Sequence, residues 1–172
     1  MKITKIRNAN IDDVPGIATV HVKMWQQAYR GQVTDSFLDT ISVDKRIDKW
    51  KQIFRDSQKG IHILVSENDG IITGWIMGGT NRDKDMAPEV GELGGIYVHP
   101  DYAGKGIGSE LMKTFLKILK DEGYKKATLW VLDTNAKTRK WYEAKGWKIE
   151  GGSKTEPREG FDLNEVRYII DL

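Results

Sequence analysis

Apolar positions change their period several times along the chain, and each change marks an element. Lys2 to Arg7 alternates Ile3 and Ile6 imperfectly with polar residues and predicts a short first strand. From Ile11 the positions Val14, Ile17, Ala18, His21, Val22, Trp25, Ala28 and Tyr29 recur at three and four, between Asn10 as a candidate N-cap and Gly31 as a stop. That spacing predicts an amphipathic helix, and Val43 to Asp56, with Ile47, Trp50, Ile53 and Phe54 on one side, predicts a second. Ile61 to Val65, the turn Asn68-Asp69-Gly70 and the run Ile71 to Gly79 read as a β-hairpin. Asn81 to Glu89 is a polar loop, and Glu92 to Val98 a strand ending at His99-Pro100, with Gly94-Gly95 marking a bulge. Ile107 to Leu119 predicts a helix, Ala127 to Leu132 a strand, Asn135 to Lys145 a helix stopped by Gly146, and Trp147 to Glu150 a strand. Residues 151–163 read as a loop, and Asn164 to Leu172 as a closing strand. Strands alternating with helices imply one mixed α/β sheet with helices on both faces.

Composition narrows the class. The 172 residues are 39% apolar and 30% charged, with six Trp, six Tyr and four Phe, enough for the core of one domain over residues 1–172 and too much for a disordered chain. A net charge of +2 gives no overall field for nucleic acid or an anionic membrane, so neither is expected as a partner. No run approaches the roughly 20 apolar residues of a bilayer span, and Met1 to Asp13 lacks the apolar core of a signal peptide. A cytoplasmic location is the expectation. Without cysteine there is no thiolate nucleophile or cysteine metal site, and His21, His62 and His99 are far apart, so no metal is expected.

The most informative segment is Ile96 to Ser109, a strand followed by Gly104, Gly106 and Gly108 opening an amphipathic helix. Helix N-termini expose unpaired N–H groups, glycine lets backbone wrap an anion, and Lys105 adds a cation. A P-loop would need Ser or Thr after the lysine, where Gly106 stands. A dinucleotide fingerprint is matched partly, with Asp133 ending the next strand but the wrong glycine spacing. Coenzyme A, which also carries a pyrophosphate, is the third ligand such a turn could hold.

Ala103 to Gly108 resembles the Q/R-x-x-G-x-G/A signature of the GNAT N-acetyltransferase superfamily, and Asn135 to Trp147 resembles its N-x-x-A-x-x-F-Y-x-x-x-G-F segment at the same spacing. Trp25 to Gly31 is similar to one bacterial branch of small-molecule acetyltransferases. The resemblance implies a single domain with a mixed, mostly antiparallel sheet of about seven strands, splayed at its centre and flanked by about four helices. It also implies acetyl transfer from acetyl-CoA to a primary amine, without metal. Ala103 stands where the family usually has Gln or Arg, which leaves pyrophosphate contact to the backbone amides of Gly104, Lys105, Gly106, Ile107, Gly108 and Ser109. Thr138 and Trp141 replace a common Ala and Phe as packing changes.

Roles follow from the resemblance and from the chemistry it requires. An alkylammonium must lose a proton before it can attack, and Glu92 sits where the family often carries a Glu base. If the strand splays, Ile96, Tyr97 and Val98 offer backbone to pantetheine, and the Val98 N–H can polarise the thioester carbonyl, a contact worth about 3 to 4 kcal/mol in other acyl transfers. Tyr142 matches the tyrosine that protonates the leaving thiolate, and Asn135 the amide that contacts pantetheine, besides serving as an N-cap. His21, Trp25 and Tyr29 share one helix face, which reads as core packing or, for Trp25 and Tyr29, as the lining of an amine pocket. Asp83, Asp85 and Glu89 are candidates for negative charge near a cationic acceptor; His62 and His99 read as structural. Rival functions are a non-catalytic CoA-sensing or protein-binding module and a nucleotide-dependent oxidoreductase. A second copy is a candidate partner, paired through the C-terminal strand and the loop before it.

Overall fold

The computed structural model describes residues 4–57, 59–158 and 160–172. Its chain order is β1 (Lys5–Asn8), α1 (Val14–Ala28), α2 (Asp35–Thr40), α3 (Val43–Asp56), β2 (Ile61–Asn68), β3 (Ile71–Thr80), β4 (Val90–Val98), α4 (Ile107–Asp121), β5 (Lys126–Leu132), α5 (Ala136–Ala144), β6 (Lys148–Arg158) and β7 (Phe161–Asp171), with short 3-10 turns before α1 and α4. The expected strand positions Lys2 and Ile3 lie outside the described residues. One seven-stranded sheet forms in the order β1-β2-β3-β4-β5-β7-β6, and only β4 and β5 run parallel. Among the described residues, no helix is long and apolar enough to cross a membrane.

Period-two alternation assigns the faces. Ile63, Val65 and Trp75 point to one side, where α1 and α3 cover them with Val14, Ile17, Ala18, Val20 and Trp50. Leu64, Ile76 and Leu93 point to the other, under Leu111, Met112, Phe115 and Leu119 of α4 and Tyr142 of α5. The entry to α1 is fixed by a capping box: the Asn10 side chain accepts from the chain ahead of it while the Asp13 carboxylate accepts from the Asn10 N–H at 2.8 Å. Arg7 of β1 then grips Asp13 through two bonds of 2.8 Å and holds its carboxyl below the usual range.

The sheet opens in its middle. β4 pairs with β5 only over Val90–Leu93, against Lys126–Leu129, and beyond Leu93 the two strands separate. On the other side β4 stays paired with β3 to Val98, with one register break: Met77 faces Gly95 and Gly78 faces Leu93, so Gly94 is an extra residue. The glycine pair is therefore a bulge, as expected, and it bends β4 away from β5.

Two elements differ from the expectation. α2 was absent from the pattern because its six residues carry too few apolar positions for a period, yet Leu38 is fully buried. Residues 151–163 are mostly strand rather than loop: β6 continues to Arg158 and β7 starts at Phe161, with Glu159 outside the described residues. Gly151 and Gly152 sit in a bulge, where the register moves from Ile149 opposite Tyr168 to Ser153 opposite Val166. β7 is paired on both sides, with β5 and β6, so the C-terminal strand offers no free edge; β6 is the edge strand.

Beside the bulge, a Cβ on Gly78 would meet the Glu92 carbonyl oxygen and, at 2.6 Å, the Phe115 ring. Gly78→Ala therefore should force β3 and β4 apart and cost about 1–3 kcal/mol. In a thermal melt this is a fall of about 2–12 °C for a chain of this size, and an unchanged midpoint would show that the strands can yield.

Candidate active site

A cavity of about 210 Å³ occupies the gap between β4 and β5. α1 contributes Met24, Trp25, Ala28 and Tyr29 from one face of the sheet, and α5 contributes Tyr142 from the other, so the opening connects the two faces. Of the residues singled out in the sequence, Glu92, Ile96, Tyr97, Asn135, Tyr142, Trp25 and Tyr29 line it. Val98 and the Ala103–Ser109 turn do not; they continue β4 beyond the cavity.

The orientation of β4's backbone follows from one bond. The His99 N–H donates to the Thr73 carbonyl of β3 at 2.8 Å, which makes 73 and 99 a hydrogen-bonded pair. Gly74 opposite Val98 and Ile76 opposite Ile96 are then the non-bonded pairs of the antiparallel ladder. The N–H and C=O groups of Ile96 and Val98 consequently face away from β3, into the gap that β5 has left. This row of groups runs toward the turn after Tyr102, where Gly104 (φ +74°) and Gly106 (φ +81°) adopt left-handed conformations that other residues resist. A Cβ at either would meet nothing within 4 Å, so the turn stands open. Gly106 begins α4 without a side-chain cap. Lys105 is exposed beside it, its ammonium donating to the Asp101 carbonyl at 3.2 Å and lying 5.0 Å from the Tyr102 ring centre. Gly108 packs against Trp141, which joins this turn to α5.

Glu92 is 3% exposed and holds Arg82. Arg82 donates from Nη2 to Oε1 at 2.7 Å, and from Nε and its backbone N–H to Oε2 at 3.0 Å each. A carboxylate has about four acceptor sites, so one on Oε1 remains for a water or ligand. Burial pushes the Tyr142 phenol well above its ordinary value, and among the described residues no hydrogen bond engages its hydroxyl. Tyr142 therefore carries its proton at neutral pH. The Asn135 Oδ1 accepts from the Thr138 N–H at 3.4 Å, capping α5. Burial raises the phenols of Tyr29 and Tyr97 as well.

The aromatic stripe of α1 divides. His21 belongs to the packed interior: the Trp50 Nε1–H donates to its Nδ1 at 3.3 Å, and burial, with Arg46 and Lys49 nearby, lowers its pKa to about 3. Trp25 and Tyr29, with ring centres 4.4 Å apart, face the cavity.

Sequence reasoning missed the charges that frame this site. The Asn81–Glu89 loop is not a free acidic surface. Asn81 donates to the Gly91 carbonyl at 3.0 Å and Thr128 Oγ1 at 2.8 Å, crossing β4 to β5. Asp83 accepts from Trp130 Nε1 at 2.9 Å and Arg167 at 3.1 Å, and Asp85 takes the Arg167 guanidinium at 2.7 and 2.9 Å. Arg167, which alternates with Val166 and Tyr168 along β7, is 5% exposed and also donates to Glu150 at 2.7 Å. Gly152 leaves room for it, since a Cβ there would lie 2.9 Å from its Nε. Asp83, Asp85 and Glu89 do not line the cavity; Arg82, Lys154, Glu156, Arg158 and Glu165 do. The available signal for Arg82 was its place in the loop that leads into Glu92's strand.

With this geometry in hand, comparison with known proteins is decisive: the profile of the Acetyltransferase (GNAT) family matches residues 22–147. The chain belongs to the GNAT acetyltransferase family. Within it, an uncharacterized N-acetyltransferase of Archaeoglobus fulgidus is 31% identical over 155 residues, which cover 88% of this chain and 99% of the relative. The spermidine N(1)-acetyltransferase of Thermoplasma acidophilum is 26% identical over 151 residues, 85% of this chain and 89% of the relative. The crystal structure of the PaiA N-acetyltransferase of Thermoplasma acidophilum, in complex with coenzyme A, matches over 99% of both chains with a TM-score of 0.72 at 22% identity, a likeness of fold. The expected GNAT sheet, splayed at its centre, is thus the observed one, with five helices because α2 adds to the four expected.

His21 gives this GNAT domain a pH response of known sign. Its folded pKa lies below the 6.5 of the unfolded chain, so the unfolded state takes up the proton first and stability falls as pH drops below about 6.5. Between pH 7 and pH 5 this accounts for about 2 kcal/mol. His21→Gln, which keeps an acceptor for Trp50, should remove that share of the loss in denaturant titrations at the two pH values. An identical loss in both proteins would mean that His21 protonates within the fold.

Proposed function

We propose that the protein transfers an acetyl group from acetyl-CoA to a primary amine, by direct attack within a ternary complex. The observation that carries this reading is the open edge of β4, whose Ile96 and Val98 backbone groups lead from a cavity holding Glu92 and Tyr142 to an uncapped glycine turn. An extended amide-bearing arm fits such an edge as an added strand, and a pyrophosphate fits the helix start. The residues present therefore suit acetyl-CoA, whose contribution is an activated acetyl thioester. The coenzyme A complex of the PaiA neighbour and the amine named for the spermidine relative support the same reading.

Each residue then has one task. Ile96, Tyr97 and Val98 present backbone to the pantetheine arm, and the Val98 N–H meets the carbonyl oxygen on which charge develops. Asn135 adds an amide contact from the start of α5. Gly104 to Ser109 supply backbone N–H groups to the pyrophosphate, which makes the missing side chain at Ala103 tolerable. Glu92 takes the ammonium proton through a water on its remaining Oε1 site. Trp25 and Tyr29 wall the acceptor. As one N–C bond forms and one C–S bond breaks, Tyr142 gives its proton to the departing sulfur and regains one from the acylated nitrogen.

Two substitutions test the assignment. Tyr142→Phe should lower kcat by about 100-fold or more and leave the Kd for acetyl-CoA nearly unchanged; an unaltered kcat would remove the acid role. Glu92→Gln should slow turnover most at low pH, where the amine is largely protonated, and least at high pH. A uniform loss across the pH profile would make Glu92 a structural partner of Arg82 and nothing more.

A further inference from the structure

The charges around the cavity go beyond an unspecified amine. Arg82, Lys154 and Arg158 line it together with Glu92, Glu156 and Glu165, so the described lining carries as many cations as anions. A polycation would be held by an excess of carboxylates, and the two nearby acids that could provide one, Asp83 and Asp85, are bound to Arg167. We propose that the acceptor is a zwitterion, an α-amino acid with an apolar side chain, and that Arg82 selects it by binding its carboxylate. This rests on the acetyl-transfer reading above.

Arg82 is suited to the task by what it leaves unused. A guanidinium has five N–H donors in a planar fork. Glu92 engages Nε and one donor of Nη2, and among the described residues the other three meet no acceptor. The side chain is 70% exposed although its partner is 3% exposed, so the outer edge of the fork reaches solvent at the cavity. Lys154 and Arg158 pair with other acids and not with Glu92: Arg158 donates to Glu156 at 2.8 Å, and Lys154 lies 3.5 Å from both Glu156 and Glu165. An anion on the outer edge of Arg82 lies one guanidinium away from the carboxylate that receives the amine's proton. Amine and anion are then neighbours within one molecule, as they are across the single Cα of an α-amino acid. Met24, Trp25, Tyr29 and Leu163 supply an apolar wall for the side chain.

The test compares leucine, leucinamide, 3-methylbutylamine and spermidine as acceptors, by CoA release, in the wild type and in Arg82→Gln. Leucinamide gives up its ammonium proton more readily than leucine, so intrinsic reactivity works against the proposal. Wild-type kcat/KM for leucine should nonetheless exceed that for leucinamide and 3-methylbutylamine by about 10- to 100-fold, the scale of a hydrogen bond to a charged group. In Arg82→Gln, where all rates fall because Glu92 loses its partner, the leucine-to-leucinamide ratio should drop to near one. Spermidine or the uncharged analogues turning over as well as leucine would overturn the proposal while leaving acetyl transfer intact. So would a ratio that survives Arg82→Gln. Release of CoA with none of the four also overturns it, and thermal melts with acetyl-CoA then decide the underlying reading: a raised midpoint preserves a donor site, and an unchanged one removes that as well.

Discussion

Backbone groups that have lost their neighbouring strand are costly wherever water cannot replace it, and the centre of this sheet is built around such a loss. β4 and β5 share four paired positions and then part at the Gly94 bulge, which leaves the N–H and C=O groups of Ile96 and Val98 turned into a partly buried gap. Everything else that defines the site is arranged along that gap. α1 approaches from one face and Tyr142 from the other, and both reach a common space only because the sheet does not close between them. The same geometry explains why Gly78 must be glycine-sized: the strand that bends away from β5 presses toward β3 and Phe115.

The second constraint is electrostatic. Arg82 and Arg167 each tie a segment that sequence alone would leave loose. Arg167, packed against Trp130 with its guanidinium 5.1 Å from the ring centre, draws in Asp83, Asp85 and Glu150 from two different segments. Buried ion pairs seldom add much net stability, because desolvation offsets attraction. Their effect here is positional. The loop that Arg167 holds is the one that carries Arg82 to Glu92, so the orientation of a buried carboxylate in the cavity depends on contacts made on β7.

Much of this was legible in the sequence. The 3.6 and 2 periodicities marked most helices and strands, because those elements bury one regular face. The Gly104–Gly108 turn and the Asn135–Gly146 helix were legible because their residue types are set by local backbone needs and by what packs on them. Arg167 was not, since alternation places it opposite Val166 and Tyr168 but cannot say that three acids from elsewhere will cover it. The continuation of β6 beyond Glu150 was lost for a related reason: Gly151-Gly152 signals a break, and whether the break is a turn or a bulge depends on β7 beside it. The split of the α1 stripe into interior His21 and cavity-facing Trp25 and Tyr29 likewise depends on where β4 and β5 part.

The bulged edge strand has one more effect, on how copies of this chain meet. β6 is eleven residues long and exposes Ile149, a profile that would invite another strand to add to the sheet. Its regular stretch is interrupted at Gly151 and Gly152, Pro157 has no N–H to donate, and Lys154, Glu156 and Arg158 project charge along it. The features that seat Arg167 and build one wall of the cavity thus also make the sheet's longest edge a poor template for a further strand.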